Sequence, residues 1–278
     1  MKPSILALLT IISAGIIAGC GGSGSSTPAS TTPASVSGTV ADGYLYKATV
    51  FLDKNVNYQL DAGEPSAITD QNGAYTLTVD PADVGQYPIV ALATAGVTID
   101  MDDPTQPIQN SYLLCIPKTA ISGTVSNYIS PLSSQLREML ETGLYTMEQA
   151  KDQLRTQLGL PVGTDVMANY MANQNNANYQ AMHNAARNMA ALMGSQAAQV
   201  MTGSGTGTTV DVNRYRGMMG TIFCNMSSLR GSNTQSAISG LTGTMTSTLS
   251  GMTPGQPFRN MSTAFRGGRG GGRGGGMM

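Results

Sequence analysis

The residues best equipped to do chemistry stand together in the run Asp53-Lys54-Asn55-Val56-Asn57-Tyr58-Gln59-Leu60-Asp61-Ala62-Gly63-Glu64. Counted from Asp53, oxygen-bearing side chains fall at positions one, three, five and nine (Asp53, Asn55, Asn57 and Asp61), and Glu64 stands at position twelve. A hard cation of calcium's size takes six to eight oxygens, and a carboxylate that offers both of its oxygens closes such a shell. Gln59, at position seven, adds its backbone carbonyl. The expected ligands for a calcium ion are therefore Asp53, Asn55, Asn57, Gln59, Asp61 and Glu64. The competing reading is a solvated polar hairpin loop without metal.

This spacing is that of an EF-hand-type loop, with two departures. Tyr58 occupies position six, where glycine ordinarily makes the sharp turn, and the loop leaves a strand and not a helix. Three of the side-chain ligands are anionic, which sets the expected affinity in the range of extracellular modules, roughly 10⁻⁴ to 10⁻³ M, and makes the ion a structural staple. A smaller acidic group, Asp100, Asp102 and Asp103, precedes Pro104 without recognisable ligand spacing and reads as a solvated loop, with a second cation site as the alternative.

Other chemistries are poorly supplied. His183 is the single histidine, which argues against a Ser-His-Asp triad or a two-histidine zinc site, and it reads as a surface or packing residue. Eighteen methionines raise Cu(I) as a ligand. Met182, Met189, Met193 and Met219, however, sit at helical core spacing, where methionine fills irregular gaps. Cys115 and Cys224 either form a disulfide in an oxidising compartment or are two small buried apolar residues. With 11% charged residues and a net charge of -1, no basic nucleic-acid footprint is present, and nucleic acid is not an expected partner.

The elements that would hold the loop follow from periodicity. Segments 36–40, 48–52, 75–79, 89–93 and 112–116 are short and β-branched or alternating, and predict a small antiparallel β-sandwich. Asp70-Gln71-Asn72-Gly73 is a turn, since Asn and Gly tolerate positive φ. Beyond residue 120 the period lengthens. Pro131 opens a helix carrying Leu132, Leu136 and Met139, stopped by Gly143, and Thr146 with Gln149 forms a capping box for a second. Tyr179, Met182, Ala186, Met189, Met193, Ala197 and Val200 make a long stripe, and Asp211 caps a helix with Val212, Tyr215, Met219, Ile222 and Met226. The fold class expected is a β-sandwich plus an α-helical segment, α+β and multidomain.

The run SGTVADGYLYKATVFLDKNVNYQLDAGEPSAITDQNGAYTLTV resembles the B-type repeats of Gram-positive serine-aspartate surface proteins and the related carboxypeptidase regulatory-like modules. The resemblance covers residues 36–80 well and extends loosely to about 120. It implies a prealbumin-like sandwich that binds calcium through Asp53, Asn55, Asn57, Asp61 and Glu64 and acts as a stalk or adhesive module, without catalysis. The arrangement ISPLSSQL, a short helix and LGLP is similar to helical extensions that follow such modules in bacterial lipoproteins.

The ends of the chain address the membrane. Lys2 and the apolar run 5–18 have the grammar of a secretory signal, too short to prefer spanning a bilayer. Ile17-Ala18-Gly19-Cys20 resembles the bacterial lipobox, which implies a diacylglyceryl group on Cys20, and Gly21 in place of aspartate favours the outer membrane. The layout expected is a signal peptide at 1–19, a lipid-anchored Ser/Thr/Pro/Gly linker at 20–35, a calcium-binding β-module at 36–120, a helical domain at 121–229 and a low-complexity region at 230–278. The linker has no large apolar side chain to offset the entropy of ordering. Arg266, Arg269 and Arg273 lie in a tail that resembles RGG tails, which bind RNA in other settings; outside the cytoplasm it reads as a solvated flexible end, the alternative being contact with anionic surfaces such as lipopolysaccharide or a partner protein. Together these features predict a lipid-anchored envelope or cell-surface protein with structural, adhesive or protein-binding roles, whose partners are the membrane and a protein or surface polysaccharide. The alternative is an accessory outer-membrane lipoprotein of a larger transport, secretion or electron-transfer complex.

Overall fold

A computed structural model describes residues 32–123, 127–231 and 235–252. The signal segment, Cys20 and the arginines of the C-terminal tail lie outside the described residues. Alternation builds the first strands. In β1 (Ala34–Val40) every second residue from Val36 to Val40 is buried, as a half-covered sheet requires. The chain continues through β2 (Leu45–Tyr46), β3 (Thr49–Leu52), β4 (Ser66–Ile68), β5 (Ala74–Val79), β6 (Ile89–Ala93), β7 (Ile99–Asp100), β8 (Tyr112–Ile116) and β9 (Asn127–Ile129). One sheet has the order β5-β1-β9 and the other β4-β3-β6-β8, while β2 and β7 pair separately. β1 and β5 are antiparallel, with Val36 opposite Leu77. β6 and β8 are buried along their whole length, which marks strands covered on both faces. The Asp70–Gly73 turn forms as expected: Asp70 Oδ1 accepts the amides of Asn72 and Ala74, and Gly73 has φ +68°.

The purely antiparallel arrangement expected needs one correction, because β9 runs parallel to β1. After β8 the chain crosses to the open side of β1 and enters in the same direction. Asn127 Nδ2 then donates to Ser37 O at 2.9 Å. Gly38 permits the approach, because a Cβ there would collide with the backbone oxygen of Asn127.

The helices are α1 (Pro131–Glu141), α2 (Met147–Leu158), α3 (Ala177–Ser195), α4 (Ala197–Val200), α5 (Val212–Cys224), α6 (Met226–Leu229) and α7 (Gln235–Ser250), with a short hairpin of β10 (Met201–Thr202) and β11 (Thr209–Val210) before α5. Caps fix their starts: Ser130 with Ser133, Thr146 with Gln149, Asn176, and Asp211 all accept the first free amides. α1 packs against β8, β9, α2, α3 and α5 and is buried from Pro131 to Met139. Its Leu132, Leu136 and Met139 and the methionines of α3 and α5 join the strand residues in one continuous core. The fold is thus α+β. Among the described residues no helix is long and apolar enough to cross a membrane.

Candidate cation loop and the ion cluster beneath it

The 53–64 loop leaves β3 and returns into β4. At its root Asp53 is fully buried, and its carboxylate accepts the amides of Asn57 at 2.9 Å and Tyr58 at 3.0 Å. On the outer side, the side-chain amides of Asn55 and Asn57 both reach Asp61 Oδ2, at 2.7 and 2.8 Å. Glu64 closes the loop, its two oxygens accepting the amides of Lys54 at 2.7 Å and Asp61 at 3.0 Å. Gln59 takes part through its backbone, its amide donating to Asn57 Oδ1 at 2.8 Å. Five of the six expected side chains are therefore engaged in one hydrogen-bonded loop.

The donor set suits a hard cation, since every one of these side chains carries oxygen. The two asparagine amides already converge on one carboxylate oxygen, and a half-turn of each amide would present its oxygen at that point. The three carboxylates do not converge: Asp53 turns inward while Asp61 and Glu64 face the exposed side. Accordingly, no group of three or more His, Cys, Asp or Glu among the described residues is poised to hold a metal. A full shell would draw on Asn55, Asn57 and backbone carbonyls beside Asp61 and Glu64.

Tyr58 explains how a loop with the wrong residue at position six keeps its turn. Its φ is +64°, the left-handed conformation that glycine supplies elsewhere, and Val56 two residues earlier has φ +61°. Such conformations cost roughly 1–2 kcal/mol per residue outside glycine. Burial of the ring, worth about 1.5–3 kcal/mol for a side chain of this class, offsets that strain. The ring lies under the Arg137 guanidinium at 3.8 Å and against Tyr215 at 4.7 Å between centroids. Its hydroxyl donates to Glu138 Oε1.

Beneath the loop lies an ion cluster, which sequence reasoning missed. Arg137 and Glu138, adjacent on α1, are both fully buried. Arg137 Nη1 is 3.3 Å from Glu138 and Nη2 is 3.6 Å from Asp53, while Arg216 Nε reaches the other Glu138 oxygen at 3.5 Å. Burial raises the Glu138 carboxyl above its ordinary range, and Arg137 and Tyr58 act against that shift. Burial likewise raises Asp53, against the amides of Tyr58 and Asn57 and the charge of Arg137. Burial, the largest cause, pushes the Cys115 thiol up to about 11, which favours the protonated form over the nucleophilic thiolate. Cys115 is a free thiol against the Tyr215 hydroxyl at 3.5 Å, and the bond to Cys224, on the exposed end of α5, is not formed. The only hint in the sequence was a charged pair inside an otherwise core-forming helix.

The acidic residues before Pro104 do more than face solvent. Asp102 Oδ2 meets His183 Nε2 at 2.7 Å and Arg187 Nε at 3.4 Å, and the His183 ring stacks on Tyr170. His183 is thus a packing residue with a carboxylate partner. No protein-family model, curated protein or solved structure matches the chain.

Proposed function

We propose that the chain is an exported bacterial lipoprotein, anchored to the outer membrane through Cys20, whose 53–64 loop holds a calcium ion that staples a prealbumin-like β-module to its helical segment. The module then serves a structural, adhesive or protein-binding role at the envelope. The observation that carries this reading is the loop itself: Asn55, Asn57, Asp61 and Glu64 are knitted together on one side, and Tyr58 nails the other side into the core. Asp61, Glu64, Asn55 and Asn57 would hold the ion, with backbone oxygen from the Gln59 region. Calcium, when bound, would supply positive charge to two clustered carboxylates and cross-link the loop. The residues of this chain do the rest: Tyr58 fixes the turn, and Asp53, bonded to the loop's amides, keeps its base closed. Catalysis is not part of the proposal.

The test is limited proteolysis of intact and permeabilised cells with and without a chelator, together with a Cys20→Ser variant. Loss of the protein on shaving places it on the outer face and survival on the periplasmic face; in permeabilised cells cleavage should accelerate when calcium is withdrawn, and the variant should leave the membrane fraction. Retention of Cys20→Ser in the membrane, or cleavage indifferent to chelator, would contradict the respective half of the proposal.

A further inference from the structure

A cavity of about 240 Å³ opens between the turn after β1 and helix α3, lined by Asp42, Asp100, Asn110, Tyr112, Arg187 and Ala190 among others. Asp42 is one of its lining residues and is 4% exposed. One of its oxygens accepts the Tyr112 hydroxyl at 2.7 Å. The other, Oδ1, is buried with no hydrogen-bond partner among the described residues. Asp100 lines the same space, and its Oδ1 accepts only the Asp102 amide, at 2.9 Å, among the described residues. The backbone is shaped for this proximity: a Cβ on Gly43 would collide with Asp100 Oδ1 and crowd Asp102. Two carboxyl groups share a partly closed space, and a buried carboxylate oxygen without a donor is costly.

The opposite wall carries the complementary charge. Arg187 is half exposed, and its Nε is held by Asp102 at 3.4 Å. Its terminal nitrogens have no hydrogen-bond partner among the described residues, and they form the planar fork that suits a carboxylate. His183 Nε2 meets the same Asp102 oxygen at 2.7 Å, so Arg187 shares that carboxylate and is only partly used by it.

We infer that this cavity binds a small zwitterion, a free amino acid whose ammonium group meets Asp42 and Asp100 and whose carboxylate meets Arg187. A bare metal ion fits less well, because the space is several times the roughly 30 Å³ share of one water molecule and one wall is cationic. A simple amine would leave Arg187 unused, and a simple acid would leave Asp42 unpartnered. Ala190 and Ile108 give the ligand's side chain an apolar surface, which favours small aliphatic amino acids.

The test is calorimetry and thermal melting of the full chain with each standard L-amino acid in turn, and with ethylammonium, acetate and calcium chloride as controls. At least one small amino acid should bind with one-to-one stoichiometry. Asp42→Asn should weaken it at least about tenfold without unfolding the protein, since the amide has the shape of the carboxyl and its oxygen can still accept the Tyr112 hydroxyl. Arg187→Gln, at an exposed side chain, should weaken the same amino acid at least about tenfold and leave ethylammonium binding unchanged. Failure of every amino acid to bind, binding indifferent to both substitutions, or calcium binding abolished by Asp42→Asn alone would overturn the inference.

Discussion

At the scale of single residues, Tyr58 is where the loop and the core meet. Its position was legible as an anomaly, a bulky residue where a turn wants glycine, but its solution was not, because the ring's partners come from α1 and α5, far along the chain. Removing only the hydroxyl, in Tyr58→Phe, takes a donor from buried Glu138, and hydrogen bonds to charged groups are worth about 1.5–3 kcal/mol. At about 2–4 °C per kcal/mol for a chain of this size, the melting temperature should fall by several degrees, measurable by circular dichroism. Arg137→Met should cost more, about 3–5 kcal/mol, because it strands Glu138 and Asp53 without their buried counter-charge. Asp42 behaves in the opposite sense. Burial, then Asp100, raise its carboxyl well above its ordinary value of 3.8, with Asp102 adding to the shift and the Tyr112 hydrogen bond opposing it. The native state therefore holds this proton to higher pH than the unfolded chain. The stability it contributes is complete below pH 3.8 and is lost as pH rises through the native value. Asp42→Asn should accordingly melt higher than the parent at pH 8 and converge with it near pH 3.8. A variant less stable than the parent at pH 8 would refute this.

At the scale of elements, the strands of the first half were readable because they alternate or are rich in β-branched residues, and the helix starts because their caps are local. β9 was not: three residues, Asn127–Ile129, carry too little pattern, and their pairing with β1 depends on Gly38 nearly ninety positions earlier. The docking of α1 was hidden for a different reason. β8 is an edge strand, and Cys115, whose outward backbone groups would otherwise be bare, is satisfied by serines of α1. Its amide donates to Ser134 Oγ at 2.8 Å and its carbonyl accepts Ser133 Oγ at 2.7 Å. The helix N-terminus thus stands in for a neighbouring strand. Polar residues that resemble a solvated face are in fact inside. Ser134→Ala leaves the Cys115 amide without a partner and should cost about 1–3 kcal/mol. Hydrogen exchange at Cys115 should accelerate more than at its neighbours in β6, and equal protection in variant and parent would contradict this account of the edge.

At the scale of the whole molecule, strands and helices share one core, and the ion cluster of Asp53, Arg137, Glu138 and Arg216 lies where they meet. The spacing of oxygens in the loop could be read directly from the sequence; that Asp53 turns away from the others toward Arg137 could not, because burial is decided by α1. A ligand that binds only the folded state stabilises it by mass action, so an ion gripped by Asn55, Asn57, Asp61 and Glu64 must raise the melting temperature of the entire unit and not of the loop alone. The most direct measurement is a calcium titration of the purified protein by calorimetry, paired with melting in calcium and in chelator. One ion should be taken up with measurable heat, the melting temperature should rise cooperatively with calcium, and both effects should be lost in a Glu64→Gln, Asp61→Asn variant. No heat of uptake, with melting the same in calcium and in chelator, would contradict it.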